Sequence, residues 1–417
     1  MNPSINQDRL MAELDRLAGF SDVPAPAVMR VVFSAVDLQA REYFTQLCTA
    51  AGFQVREDAV GNTFVRWIGS DPSLPAVGTG SHIDAIPYSG RYDGTVGVLG
   101  GLEAMRALRE SGFQPLRSIE LLLFTSEEPT RFGIGCLGSR LLSGALDAAA
   151  GDKLKDKDGS TLNEVRANAG FTGSLENVRL APGYYHAFAE LHIEQGPLLE
   201  RREVPLGVVT AIAAPASLRI VIEGEGGHAG AVLMPDRRDA FSGAAELALA
   251  LESAARSTGA IDTVATIGQC DVFPGAVNGI PSRVTLGVDV RDIDPARRDG
   301  VLQSLAEACG RVARERRLQI QTEMVNADAP AICGSMVVDA LAESCSEMAL
   351  PFDRMVSRAY HDSLFVSRIA PTAMLFIPCR NGVSHRPDEY ASPQDIGRGT
   401  LVLAATLARL AGTRSQS

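Results

Sequence analysis

The sequence predicts an α/β fold with a second, α+β domain inserted in it. Three observations lead there. A strand, helix, strand spacing in the first third includes the nearly continuous apolar run Ile119-Glu120-Leu121-Leu122-Leu123-Phe124, the pattern of a strand buried on both faces. From about residue 214 the pattern becomes β-α-β-β-α-β, the order of a small independent split-βαβ domain. From about residue 330 the α/β style resumes. A chain of 417 residues is too long for one ordinary core, so two domains are expected, with limits at 1–213, 214–329 and 330–417.

The elements follow in order. Leu10, Leu14 and Leu17 stand at helical spacing, and residues 37–51 place Leu38, Phe44, Leu47 and Cys48 on one side of a helix that ends at Gly52. Residues 55–68 read as a hairpin turning at Gly61-Asn62. Residues 74–78 form a strand-like run leading into Gly80-Ser81-His82-Ile83-Asp84, and Tyr92-Asp93-Gly94 follows a short polar loop. A helix is expected over 96–110, and the strand at 119–124 delivers Thr125-Ser126-Glu127-Glu128 at its C-terminal end, where α/β sheets place their chemistry. The polar stretch 146–183 reads as a solvated excursion with a helix over 162–169. Residues 186–195 return to strand and carry His192-Ile193-Glu194-Gln195-Gly196-Pro197.

In the inserted region, strands are expected at 217–223, 263–273, 282–292 and 318–324, with helices at 239–257 and 295–317. Helix 336–348, strand 372–377 and helix 392–411 close the chain.

Composition narrows the function. A formal charge of −11 supplies no basic patch, so nucleic acid and anionic membrane surfaces are not expected as partners. No run approaches the ~18 apolar residues that span a bilayer, and the N-terminus has no basic-then-apolar secretory pattern, which makes the cytoplasm the expected location. The seven cysteines are scattered and form no C-x-x-C pair, as expected for buried reduced thiols.

Of the six histidines, four keep unusual company. His82 and His192 close strand-like runs, His385 follows Gly382-Val383-Ser384, and His228 lies in Gly226-Gly227-His228-Ala229-Gly230. Taken alone, each is more often a hydrogen-bonded structural histidine than a ligand. However, His82, Asp93, Glu128, His192 and His385 all fall at strand ends or adjoining loops of the α/β part, so they can converge on one sheet edge. Histidines interleaved with carboxylates suit zinc, or manganese as the harder alternative. A carboxylate shared by two ions would hold them ~3.5–4 Å apart. The neighbouring pair Glu127-Glu128 repels itself unless a cation binds one and the other serves as a base. Residues 133–138 match G-x-G-x-x-G but begin well after the strand ends, so they read as a backbone-packing loop rather than a dinucleotide site. No G-x-S-x-G is present, and Cys136 reads as a buried thiol.

Together, Gly80-Ser81-His82-Ile83-Asp84, Tyr92-Asp93-Gly94, Ser126-Glu127-Glu128, Leu191 to Pro197, Gly227-His228-Ala229-Gly230 and Ser384-His385 resemble the hydantoinase/carbamoylase family of dinuclear metal amidohydrolases, within the metallopeptidase/aminoacylase superfamily. The resemblance implies a mixed-sheet, metallopeptidase-like catalytic domain with a ferredoxin-like lid and dimerisation domain. It implies two divalent ions, zinc or manganese: one held by His82, Asp93 and His192, the other by Asp93, Glu128 and His385. Glu127 would be the general base and His228 would polarise the scissile carbonyl across a homodimer. Asn278 and Arg291 match carboxylate-binding positions, although Arg291 reads equally as a strand-end ion pair, and Gln195 and His361 are further pocket residues. Asp84 is then left to orient His82 by accepting its other ring N–H.

The implied reaction is hydrolysis of a small anionic ureido acid: ureidoglycolate, allantoate or an N-carbamoyl amino acid. An exopeptidase or aminoacylase keeping the same metals is the alternative. Ala231-Val232-Leu233 departs from the family pattern, and Glu127-Glu128-Pro129-Thr130-Arg131-Phe132-Gly133 looks more like the ureidoglycolate branch.

Overall fold

The computed structural model describes residues 3–413. The chain forms two compact units: one comprises residues up to 210 together with 332–355 and 361 onward, the other comprises 211–331 and 356–360.

The first unit is built on a mixed sheet. Strands Thr372–Ile377, Tyr185–Ile193, Ala76–His82 and Ile119–Phe124 lie side by side and parallel. Antiparallel strands extend this block: Thr63–Trp67 and Gln54–Glu57 beyond Ile119–Phe124, and Gly207–Ile212 beyond Thr372–Ile377. Every residue of Ala76–His82, Ile119–Phe124 and Thr372–Ile377 is buried: helices Thr95–Glu110 and Pro393–Ala411 pack on the sheet and on one another, and Leu122, Phe124 and Phe188 pack into a separate apolar cluster with Leu137, Leu141 and Phe171. That double cover is why these strands read as apolar runs rather than alternating ones. Parallel pairing also sends all four C-terminal ends to the same edge, which positions the site.

Two expectations need correction here. The strand anticipated at 74–78 runs Ala76–His82, so its bounds shift toward His82, which closes the strand as expected and pairs with Phe124. The stretch 146–183 is not simply a solvated excursion. Leu162, Val165, Phe171, Leu175 and Val178 enter the apolar core with Phe64, Leu122 and Phe188, and Thr161 closes a capping box with Glu164 on helix Leu162–Asn168. Charged residues conceal these apolar contacts because they are spaced singly along short elements.

The second unit has strands Ala214–Glu223, Val264–Phe273, Arg283–Asp292 and Gln319–Ala327 with helices Ala240–Ser257 and Pro295–Arg316. The sheet is antiparallel, with Arg283–Asp292 and Ala214–Glu223 at its centre. Its chain order is β-α-β-β-α-β. Burial alternates along Arg283–Asp292: Val284, Leu286, Val288 and Val290 face Leu247, Leu251, Val301 and Leu305 of the helices. Period-two burial on one face is what a sheet covered by helices on a single side requires. Asp239 and Asp294 cap the two helices by accepting backbone N–H groups.

Candidate metal centre

The parallel strand ends carry the polar cluster. His82 ends Ala76–His82, His192 lies near the end of Tyr185–Ile193, Glu127 and Glu128 follow Ile119–Phe124, and His385 lies beyond Thr372–Ile377. Asp93 and Gly94 precede helix Thr95–Glu110. Gly94 has φ +67°, and a Cβ there would lie 2.5 Å from the His82 ring, so the chain passes against the imidazole only because the residue is glycine. Ser126, Cys136, Gln195 and His385 are non-glycine residues with φ between +54° and +58°. Such strain clusters where side chains are held for function.

Asp93 is the hub. Its Oδ1 lies 3.6 Å from His82 Nε2 and 3.2 Å from His192 Nε2, while Oδ2 lies 3.1 Å from His385 Nε2. Glu128 Oε1 is 3.2 Å from the same His385 nitrogen. Two donor sets result, His82, Asp93, His192 and Asp93, Glu128, His385, each with its ligand atoms within 4.8 Å of one another. The histidines are pre-set for ligation: His82 Nδ1 lies 3.0 Å from the Asp84 carbonyl and His192 Nδ1 lies 2.9 Å from the Ile193 carbonyl. A carbonyl only accepts, so each Nδ1 bears the proton and Nε2 faces the cluster. Two-histidine, one-carboxylate and one-histidine, two-carboxylate sets fit divalent zinc or manganese.

A third group, Glu190, His192 and His361, is equally compact. There the Glu190 oxygens already accept from Ser81 Oγ at 2.7 Å and Ser363 Oγ at 2.5 Å, so it buttresses His192.

The carboxylates of the cluster favour protonated imidazoles. Burial opposes charge on His82, but Glu127, Asp93 and Asp84 hold its pKa above the usual histidine range. Asp93 and Glu128 push His385 up to about 11. Burial also opposes charge on Asp93, yet hydrogen bonds from His192, His385 and His82 keep its carboxyl well below the usual range. A metal must displace the imidazole protons, so its uptake is expected to release protons and to tighten as pH rises at every pH below about 11. Calorimetric titration with Zn²⁺ in buffers of different ionisation enthalpy checks this. Affinity independent of pH would contradict it.

The remaining expected residues are placed as follows. Asp84 is buried beside the cluster, but its carbonyl rather than its carboxylate meets His82 Nδ1; the nearest carboxylate oxygen is 3.7 Å away. The carboxylate instead accepts from the backbone N–H groups of Glu127 (3.1 Å) and Glu128 (3.0 Å), so it secures the Glu-Glu turn. Gln195 Nε2 donates to Asp93 Oδ2 at 2.7 Å. His361 is buried edge-to-face against His192, ring centroids 4.5 Å apart.

His228, Asn278 and Arg291 belong to the second unit. His228 is exposed and pairs with Gly279 across a short antiparallel ladder, and the Asn278 carbonyl accepts from Ala229 N at 2.9 Å. Arg291 Nε donates to Asp289 Oδ1 at 2.7 Å, with its guanidinium 5.4 Å from the Tyr360 ring centre, so the strand-end ion pair does form.

Glu389 lies outside the expected site, and Ser384 was expected only as part of the Ser384-His385 motif. Glu389 Oε1 accepts from Tyr92 N and Asp93 N, at 2.8 and 3.1 Å. Ser384 Oγ lies 3.0 Å from Asp93 Oδ2 and 2.9 Å from Glu389 Oε2. A carboxylate four residues past His385 was the available signal.

Comparison with known proteins places this geometry. The profile of peptidase family M20/M25/M40 matches residues 78–409, a span containing the five expected ligands and Glu127. An amidase of the hydantoinase/carbamoylase family from Burkholderia multivorans superposes with TM-score 0.87 at 33% identity, covering 99% of each chain. The chain belongs to the hydantoinase/carbamoylase family. Within this family it is similar to the ureidoglycolate hydrolase of Arabidopsis thaliana, 52% identical over 414 residues that make up 98% of this chain and 87% of that protein. The crystal structure of AtUAH in complex with glyoxylate superposes with TM-score 0.92 at 50% identity, covering 98% of this chain and 99% of that one. The family, the mixed α/β fold and the hydrolase class all match what the sequence predicted. M20 enzymes are metal-dependent, and this chain has carboxylate–histidine groups able to bind metal.

Proposed function

We propose that this hydantoinase/carbamoylase family member is a dinuclear, metal-dependent amidohydrolase that cleaves the C–N bond of a small ureido acid, with ureidoglycolate as the leading substrate. The observation that carries the reading is the placement of Asp93, one oxygen toward His82 and His192 and the other toward His385, with Glu127 beside them. The substrate class is supported by 52% identity to a ureidoglycolate hydrolase across nearly the whole chain.

Two zinc or manganese ions, on His82, Asp93, His192 and on Asp93, Glu128, His385, would supply Lewis acidity and make water a nucleophile at neutral pH. Glu127 takes the proton of the attacking water and delivers it to the leaving nitrogen. Overall, the ureido group and one water give ammonia, carbon dioxide and the amine of the acid. Across a homodimer, His228 donates to the developing oxyanion and Asn278 and Arg291 hold the substrate carboxylate, while Gln195 and His361 keep Asp93 and His192 in place.

The second unit serves as lid and homodimer interface, a reading supported by Phe273, Val277, Met324 and Val325, which stand exposed on it. No helix among the described residues is long and apolar enough to cross a membrane, and we place the enzyme in the cytoplasm, free of nucleic acid.

A substrate panel tests the assignment. Metal-loaded protein is expected to release ammonia from ureidoglycolate faster than from allantoate or N-carbamoyl amino acids, and to leave dipeptides and N-acetyl amino acids intact. Amino acid release from the latter, with no ammonia from any ureido acid, would select the aminoacylase alternative.

A further inference from the structure

Cys136 is fully buried and stands in none of the candidate donor groups among the described residues. The chain returns to the end of strand Ile119–Phe124 through a ladder: the backbone N–H groups of Cys136, Leu137 and Gly138 donate to the carbonyls of Glu127, Ser126 and Thr125 at 2.7, 2.9 and 2.8 Å. Gly138 permits this approach, since a Cβ there would sit 2.1 Å from Asn62 Oδ1. This is the packing role of the glycine-rich match at 133–138. Its consequence is that the Cys136 Sγ lies 3.6 Å from Glu127 Oε1. The other oxygen, Oε2, is 3.9 Å from His82 Nε2.

We propose that Cys136 is a positioning residue for the general base, its thiol donating to Glu127 Oε1 so that Oε2 is presented to the metal-ligand cluster. The inference rests on the reading of Glu127 as the base. Two further observations support it. Cys136 has φ +56°, a left-handed conformation that glycine would adopt without strain, yet the chain keeps a side chain there, and that side chain reaches Glu127. Burial, followed by the Glu127 carboxylate, pushes the thiol pKa well above its ordinary value, so the group remains an S–H donor. A thiol is a weak donor, and its contribution is orientation: it removes one of two equivalent ways for the carboxylate to face its neighbours. Misplacement of a reacting group by about 1 Å can cost on the order of 10²-fold in rate.

The test uses full-length, metal-loaded protein. Cys136→Ala removes the donor, and Cys136→Ser restores a stronger donor with a shorter bond. The Ala variant is expected to lose roughly ten- to a hundredfold in kcat on ureidoglycolate, with KM and metal content unchanged. The Ser variant is expected to recover most of that loss. An Ala variant as active as wild type, or a Ser variant no better than Ala, overturns the proposal.

A second readout needs no turnover. The wild-type minus Cys136→Ala infrared difference isolates the S–H stretch of this thiol, and Glu127→Gln in the wild-type background is expected to move it to higher wavenumber, as for loss of a charged acceptor. An unmoved band overturns the contact. If wild type releases no ammonia while the band still moves, the ureido reading fails and the thiol–carboxylate contact stands.

Discussion

Glu127→Gln is expected to keep its full metal content and to lose activity on the order of 10³-fold, within the 10²–10⁴-fold range typical of general acid–base groups. The separation follows from geometry: Glu127 lies outside both donor sets, with its Oε2 3.9 Å from His82 Nε2. The amide is nearly isosteric and can still accept from Cys136, but it cannot carry a proton from water to the leaving nitrogen. Burial comes first in pushing the Glu127 pKa up, with Glu128, Asp362 and Asp93 adding to it, so divalent cations beside it are what would restore its ionised, basic form. Elemental analysis alongside an ammonia assay checks the prediction. Substantial residual turnover would remove Glu127 from the mechanism, and loss of metal would make it a ligand.

Asp93→Ala is expected to empty both sites and abolish turnover. Each donor set loses a ligand at once, since Oδ1 serves His82 and His192 while Oδ2 serves His385. His385→Ala, by contrast, should release one ion and leave His82, Asp93 and His192 occupied. Metal stoichiometry of the purified variants reads the difference directly. Thermal melting adds a second reading: metal at 100 times its dissociation constant stabilises a protein by about 2.7 kcal/mol per site, and Asp93→Ala should lose that increment for both ions. Loss of only one ion would deny the bridge.

Sequence pattern made the skeleton legible because burial here follows simple periods. Ile119–Phe124 and Thr372–Ile377 are read to the residue, being short apolar runs covered on both faces. The alternation in Arg283–Asp292 likewise marks a sheet with one covered face. The pairing of Val28–Arg30 with Ala85–Ser89 was not legible: both are short, and the second contains Pro87. The clustering of His82, Asp93, Glu128, His192 and His385 was legible because chemistry-bearing residue types recur where strands end.

What pattern cannot supply is which atom makes a contact. Asp84 was recognised as a neighbour of His82, but its carbonyl and carboxylate divide the work between His82 and the Glu127–Glu128 backbone, and only three-dimensional geometry distinguishes them. Glu389 escaped for a related reason: it contacts Asp93, a residue distant in sequence. Cys136 was legible as a buried thiol, but not its approach to Glu127.

The most direct measurement is ammonia release from ureidoglycolate by metal-stripped protein titrated with Zn²⁺ or Mn²⁺. A dinuclear centre bridged by Asp93 predicts activity that climbs until two ions are bound per chain and then levels off. A plateau at one ion, or hydrolysis that persists in the stripped protein, would contradict it.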